Sequence, residues 1–304
     1  MGLFSASKKD TQVGVEFLAA GVAVVHVQAS KKSVGKILRS DYLPAAGSQA
    51  QCEALRSWVG DNHLQKSQCV CLISHADCNV NQIERPKVED AELIEALTWR
   101  IKDLVSYDVA SAVVDIYPLP VSSKNNTQQV SVVSAKESTV SGYVDCIKSS
   151  GLKLVAIDIH DLVRKNLQNI QQGAGKTLAI LSLGDTAGEL SIFNDTDLYV
   201  SRGFKIGVNQ LQLATSEDQS VYDNMLLEIQ RSMDYYESYY GLGSVGSMDI
   251  FPRNTMTEKM ALYLQNLTSF DIDFISPADE ESDQVVLDMH CFHAYCAALR
   301  GLKL

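Results

Sequence analysis

The sequence predicts an α/β protein built from two lobes that share one plan. The main observation is the stretch 176–209, where three strand patterns follow one another across tight turns. Leu178–Leu183 is a nearly continuous apolar run, as expected of a strand covered on both faces. Glu189–Phe193 alternates like a strand, and a third strand starts at Leu198. Joined by short turns, the three strands form an antiparallel meander.

A weaker copy of the meander lies near the N-terminus. Residues 12–28 give a strand, a turn of small residues and a second strand, and Lys36–Leu43 gives a third. The two meanders start about 165 positions apart, and helical sequence follows each of them. This spacing indicates a duplicated architecture whose two halves differ too much in sequence for an identity search to find.

The rest of the chain alternates between helical and strand patterns. Helices are predicted at 48–63, 86–105, 138–149, 162–170, 221–240, 257–267 and 285–302. Further strands are predicted at 68–74, 112–117, 130–135, 154–159, 248–251 and 271–275. The polar, glycine-containing break at 171–175 is the predicted boundary between an N-terminal lobe, 1–172, and a C-terminal lobe, 173–304.

Composition excludes several classes of function. The chain has 304 residues and a formal net charge of -11, which argues against a nucleic-acid partner because phosphate binding needs a concentrated basic face. No apolar run approaches the roughly 20 residues needed to cross a bilayer. Seven cysteines, an odd number, favour reduced thiols of a cytoplasmic protein over a disulfide framework.

Two sets of side chains could be considered for a metal site. The first comprises Cys69, Cys71, His75 and Cys78, and the second comprises His290, His293 and Cys296. The first has two cysteines within one strand instead of the usual knuckle spacing. The second spreads over about 120° of a helix, which suits packing better than one ion. We therefore expect no metal site and small buried thiols instead.

Trp99 and Tyr107 are the candidate residues for binding a partner. The predicted helix 86–105 has one apolar stripe, formed by Leu93, Ile94, Leu97, Ile101, Leu104 and Val105. Trp99 falls about 200° from Leu97, at roughly 100° per residue. It either packs on a neighbouring strand or contacts a partner, since exposed Trp is enriched at interface hot spots.

The whole chain resembles the type IV pilus assembly protein PilM family, which is related to the actin-like cell-division protein FtsA, and within it the MSHA pilus (MshI) branch. The resemblance rests on blocks that occur in the order of the family: Gly2–Phe4, Val13–Glu16, Glu92–Trp99, Gly151–Asp158, Ile206–Leu211, Glu228–Tyr235 and Ala297–Gly301. Each block alone is weak, and together they are fairly specific.

This resemblance implies an actin-like (ribonuclease H-like) two-lobed ATPase fold with an FtsA/PilM-type inserted subdomain at about 79–150. It also implies a partner, the cytoplasmic tail of a PilN-like bitopic inner-membrane protein. The expected location is the cytoplasm, at the inner membrane through that partner. Other pilus assembly proteins are further candidate partners.

The sequence departs from the family where ATP would bind. A PilM-like phosphate turn reads Asp-x-Gly-Ser-Ser followed by Lys. The corresponding positions here are Glu16, Leu18, Ala19, Ala20 and Ala23, which lack the open backbone, hydroxyls and charge that a phosphate needs. Ser182 stands where the family has an Asp. In the family the loop on the adenosine side is rich in glycine. The corresponding residues here are 249–254, which include Phe251 and Pro252 in place of glycines.

We therefore expect a degenerate nucleotide site, whose remnant would be Gly184, Asp185, Thr186 and Gly207, and no catalytic residues. The first hypothesis is a non-catalytic scaffold for pilus assembly that needs no cofactor. The alternative is a PilM-like ATPase that binds Mg-ATP. A sugar kinase is a weaker third hypothesis, because no Asp is placed as a base in a glycine-rich site.

Overall fold

The computed structural model describes residues 11–30, 35–122, 128–167, 177–195, 197–215, 218–276 and 287–302. The chain forms two compact units, one comprising 1–119, 128–170 and 277–304, the other 120–127 and 171–276. This division differs from the predicted lobes 1–172 and 173–304. The difference arises because the C-terminal helix packs on the first sheet of the chain.

Unit 1 is built on a five-stranded mixed sheet in the order β3-β2-β1-β4-β8. Its strands are β1 Thr11–Leu18, β2 Gly21–Gln28, β3 Lys36–Pro44, β4 Gln68–Leu72 and β8 Lys153–Asp158. The first three form the predicted antiparallel meander, which is confirmed, and β1, β4 and β8 run parallel. Because these three are parallel, their carboxyl ends meet at one edge of the sheet.

Two helices cover one face of this sheet. They are α1 Ser48–Asp61 and α3 Glu137–Ser150. The odd-numbered side chains of β1 form an apolar core with them, comprising Val13, Val15, Phe17, Leu55, Trp58, Val59, Cys146 and Ile147. The alternation of a β-strand, which sends every second side chain to one face, leaves the even-numbered side chains for the opposite face.

The even-numbered face of β1 receives the C-terminal helix, α8 Phe292–Ala298. A Cβ atom at Gly14 would lie 1.8 Å from the carbonyl oxygen of Ala294, so this close approach requires glycine. The side-chain amide of Gln12 donates to the backbone carbonyls of Ala298, at 3.2 Å, and Arg300, at 2.8 Å. These bonds satisfy carbonyl groups that the end of a helix leaves without intrahelical partners.

A three-stranded sheet is inserted between β4 and α3. It comprises β5 Cys78–Glu84, β6 Ala112–Pro118 and β7 Gln129–Lys136, in the antiparallel order β5-β7-β6. The short helix α2 Leu93–Arg100 packs on it through an apolar core that includes Leu93, Leu97 and Ile101. The sequence analysis extended this insertion to residue 150. In the structure, α3 packs both against α1 and against the inserted sheet.

The predicted helix 86–105 is longer than the observed one. Residues Asp90–Glu92 form a 3-10 turn, and α2 ends at Arg100. Ile94 and Leu104, expected on the buried stripe, are 45% and 56% exposed, so the prediction is wrong for these two residues. Leu104 lies past the end of the helix, where a periodicity of 3.6 residues no longer decides which face a side chain occupies.

Unit 2 repeats the plan of unit 1 and contains the second predicted meander. Its sheet has the order β11-β10-β9-β12-β13. The strands are β9 Thr177–Leu183, β10 Gly188–Asn194, β11 Asp197–Phe204, β12 Ser247–Phe251 and β13 Asp271–Phe274, and the helices are α5 Val208–Leu211, α6 Ser220–Tyr240 and α7 Thr255–Gln265. The remaining helix of unit 1, α4, spans His160–Val163. Within the described part of the chain, no helix is long and apolar enough to cross a membrane.

One expectation about the cysteines is wrong. Cys52 on α1 and Cys146 on α3 form a disulfide, with their Cα atoms 5.3 Å apart. The two residues are 94 positions apart in sequence, so only the packing of α1 against α3 brings them to disulfide distance. The other five cysteines are free and buried, as expected of small buried thiols.

Substituting Gly14 tests the docking of α8. Gly14→Ala should lower the thermal midpoint of unfolding by several degrees, because overpacking a close contact costs about 1–3 kcal/mol or more. Gly60→Ala is the matched control, since a Cβ atom there meets nothing within 4 Å. Calorimetry of both variants measures the effect. Equal midpoints for the two variants would show that the docking of α8 does not require glycine at position 14.

Candidate functional site

The hairpin turn between β1 and β2 is the turn that corresponds to the first phosphate turn of PilM-like proteins. Leu18 pairs with Gly21 across it, and Ala19 and Ala20 are exposed. The side-chain amide of Gln51 donates to the carbonyl of Leu18 at 2.6 Å and to that of Gly21 at 3.3 Å. The turn is therefore braced by α1 through its carbonyl groups and offers methyl groups at its tip.

A buried ionisable cluster lies just behind this turn, in unit 1. Nε2 of His160 lies 2.6 Å from Oε1 of Glu16, and Nδ1 of His293 lies 3.9 Å from Oε2 of the same carboxylate. The ring of His160 stacks on His75, with centroids 4.2 Å apart, and meets His293 edge-on. Three segments that are far apart in sequence thus converge on Glu16.

The second phosphate-turn equivalent lies between β9 and β10, in unit 2. The carbonyls of Gly184 and Asp185 accept from the backbone N–H groups of Val208 and Asn209, each at 2.9 Å. A Cβ atom at Gly207 would come within 2.6 Å of this turn, so Gly207 allows the two segments to touch. Three of the four predicted nucleotide-site residues, Gly184, Asp185 and Gly207, therefore make contact, and Thr186 lies in the same turn. The backbone N–H groups of Val208 and Asn209 are therefore already bonded to carbonyl groups of the turn.

Residues 249–254 correspond to the loop on the adenosine side, and the first four of them are buried. Phe251 and Pro252 are both buried. Asn254 caps α7 by accepting from the N–H groups of Met256 and Thr257, and the hydroxyl of Thr257 donates to the carbonyl of Pro252 at 2.7 Å. The apolar residues expected to fill this loop thus pack into unit 2.

Asp249 begins that loop and carries a perturbed carboxyl group. It lies on β12 opposite Asp273 of the parallel strand β13. Burial, and secondarily the charge of Asp273, raises the pKa of Asp249 to about 6.

A groove lies in unit 1 between the inserted sheet and the β8 edge of the main sheet. It has a volume of about 220 Å³. Its lining is mostly apolar and is drawn from β6, β7, α3 and the end of β8, including Val113, Tyr117, Val133, Val140 and Ile157.

The charged groups of the groove are Asp115, Asp158 and Arg300. Arg300 forms an ion pair with Asp158. Asp115 is exposed, and its carboxylate accepts a hydrogen bond from the backbone N–H of Ile116 at 2.8 Å. The groove is therefore apolar with a net negative charge.

Trp99 and Tyr107 lie elsewhere on the inserted subdomain. Trp99 is 63% exposed, and Lys102 lies over its ring at 5.8 Å. The hydroxyl of Tyr107 donates to Ser134 at 3.0 Å and is bonded by the amide of Asn79. Neither residue lines the groove. Their role in binding a partner stays a prediction.

Neither of the two metal sets considered from sequence brings its side chains to one point. In the part of the chain that the structure describes, one group of at least three His, Cys, Asp or Glu side chains does so, namely Glu16, His160 and His293. The sequence analysis missed this group, although it named Glu16 and His293 separately. The partner residues named from the sequence, Trp99 and Tyr107, lie outside the groove, and strand β5 of the inserted sheet was not predicted.

The two meander-led sheets and their turns define the class of the protein, which has an actin-like ATPase fold. The chain is similar to the PilM-PilN type IV pilus biogenesis complex, with a TM-score of 0.68 and 15% identity over 96% of this chain and 99% of that one. It is also similar to the cytoplasmic domain of EpsL, an inner membrane component of the type II secretion system of Vibrio cholerae, with a TM-score of 0.51 and 14% identity over 94% and 92%.

A protein of Bacteroides thetaiotaomicron with an actin-like ATPase fold is similar at a TM-score of 0.51, with 10% identity over 92% of this chain and 96% of that one. No family model matches the sequence, and no curated protein matches it. The likeness confirms the predicted fold class. It extends over both units, so it does not depend on one lobe alone.

The raised pKa of Asp249 predicts a dependence of stability on pH. The folded state holds this proton more tightly than the unfolded chain, so the stability it contributes is present below about pH 4 and is lost as the pH rises through about 6. Asp249→Asn stays neutral throughout. It should therefore gain stability over the wild type between about pH 4 and pH 7, by on the order of 1–3 kcal/mol.

Urea unfolding at a series of pH values measures this difference. Asp271→Asn is the control, since Asp271 is an exposed residue at the start of the same strand as Asp273. A difference between Asp249→Asn and wild type that does not change with pH would contradict the assignment.

Proposed function

We propose that this chain is a cytoplasmic scaffold of type IV pilus biogenesis, of the MSHA type, that binds the cytoplasmic tail of a PilN-like inner-membrane protein. The observation that carries the proposal is the groove between the inserted sheet and β8, together with the similarity in fold to a PilM-PilN complex. A groove lined by apolar side chains beside exposed strand edges is suited to receive an extended peptide.

The edge strand β6 gives the groove a means of holding such a peptide. It pairs with β7 on one side only, so its other side offers backbone N–H and C=O groups for an added strand. Val113, Asp115 and Tyr117 alternate along β6 and line the groove. A tail with apolar residues at alternate positions would place them against these side chains.

Charge supports a tail that carries Lys or Arg. The chain has a net charge of -11, and Asp115 is an exposed carboxylate on the groove. Cytoplasmic segments beside a transmembrane helix are enriched in Lys and Arg. Opposite charges at such an interface mainly raise the association rate and fix the orientation of the peptide.

We propose further that the nucleotide site is degenerate and that the scaffold is not an enzyme. The supporting observations are the methyl-bearing first turn, the engagement of the second turn by Val208 and Asn209, and the buried Phe251 in the adenosine loop. The alternative, a PilM-like protein that binds Mg-ATP, is favoured by one observation: Gly184, Asp185, Thr186 and Gly207 do come together in unit 2.

Charge reversal in the groove tests where the tail binds. Asp115→Lys should weaken binding of a synthetic tail peptide from the PilN-like protein of the same genome by about tenfold or more, since it removes an attractive charge and adds a repulsive one. Val113→Arg should weaken it as well, because it places a charge on an apolar contact. Calorimetric titration of the full chain with the peptide gives both affinities.

The matched control is Val155→Arg, a substitution of an exposed valine on β8 that does not line the groove. Trp99→Ala is run beside it, and a loss of on the order of 1–3 kcal/mol in that variant alone would place the tail on α2 instead. Unchanged peptide affinity in both groove variants would show that the tail does not bind in the groove. Failure of the wild type to bind the peptide would show that the PilN-like tail is not its partner.

A further inference from the structure

Three side chains at the edge of the first sheet form a set of ligands that a metal ion could use. Glu16 lies near the carboxyl end of β1, His160 lies two residues beyond β8, and His293 lies on α8. One ligand atom from each lies within 4.8 Å of the other two. The carboxyl ends of parallel strands are where α/β sheets place ligands.

Distances within the group fit coordination after small side-chain movements. Oxygen and nitrogen ligands bind zinc at about 2.0–2.2 Å, so two ligands of a tetrahedral ion lie about 3.4 Å apart. The two distances on Glu16 bracket that value, with 2.6 Å to Nε2 of His160 and 3.9 Å to Nδ1 of His293.

Burial gives a second, independent observation. The side chain of His160 is 6% exposed, and its Nε2 atom lies 2.6 Å from Oε1 of Glu16, so the two groups meet away from water. Buried charged groups in proteins are paired or coordinate metal ions. The side chain of Glu16 is 3% exposed, and a buried carboxylate is stabilised by a neighbouring positive charge.

We propose that Glu16, His160 and His293 bind a divalent first-row transition metal ion, with zinc as the probe. Two histidines and one glutamate are a donor set that holds zinc with a fourth position open. The ion would link β1, α4 and α8, so it would fasten the C-terminal helix to the first sheet. This proposal replaces the sequence-based expectation of no metal site and does not depend on binding of a membrane partner.

Metal titration of the full chain tests the site. After removal of metal with a chelator and dialysis, Zn²⁺ should bind with one equivalent per chain and raise the thermal midpoint, because an ion that binds only the folded state stabilises it. Co²⁺ should give the visible absorption of a protein-bound ion. Binding of no stoichiometric metal at micromolar concentration would overturn the proposal.

Substitutions identify the ligands. Glu16→Gln and His293→Gln should each raise the dissociation constant for Zn²⁺ by about 100-fold or more, since even outer-shell partners are worth 10–100-fold. His290→Gln is the matched control, because His290 precedes the same helix but its ring bonds Asp288 and stacks on Tyr42. It should leave the dissociation constant unchanged.

Circular dichroism of the metal-free variants confirms that they fold. If one of the two substitutions prevents folding, the other decides. Unchanged zinc affinity in the folded variant, or an equal loss in His290→Gln, would place the ion elsewhere and overturn the assignment.

Discussion

The docking of the C-terminal helix on β1 is the contact on which unit 1 depends. Three even-numbered residues of one strand hold the helix. Gln12 binds its terminal carbonyls, Gly14 admits its backbone, and Glu16 meets His293. Because alternation commits the odd-numbered residues of β1 to the core with α1 and α3, a single strand serves both layers. The chain closes unit 1 with residues that lie more than 270 positions after β1.

The same contact determines what the carboxyl edge of the sheet can do. Here this edge carries Glu16, two histidines and a turn that contains Ala19 and Ala20. The polar groups of this edge are thus directed at one another inside unit 1. The groove formed by the inserted sheet begins beside this edge, since Asp158 and Ile159 at the end of β8 belong to its lining.

Periodicity predicted the parts of the fold that depend on local sequence. Both meanders, α1, α3 and α6 follow from strand alternation or from apolar spacing along a helix, and the resemblance to a family supplied the inserted subdomain. The division into units was harder to predict, because 287–302 looks like any amphipathic segment until its sheet is known. The Cys52–Cys146 disulfide and the Glu16–His160–His293 group join distant residues, and no local pattern reports such pairs. Helical geometry placed Trp99 off the stripe but left open whether its ring packs on a neighbouring strand or contacts a partner.

The central proposal is that this protein with an actin-like fold binds its partner as a scaffold whose state does not depend on nucleotide. Calorimetric titration of the tail peptide into the full chain, with and without millimolar Mg-ATP, tests that claim most directly. Binding of one ligand alters the affinity for another only when the two sites are coupled, and typical coupling changes affinity about 5–150-fold. The account predicts the same dissociation constant in both titrations. A change of fivefold or more with Mg-ATP, absent with MgCl₂ alone, would contradict it and establish a nucleotide-regulated protein.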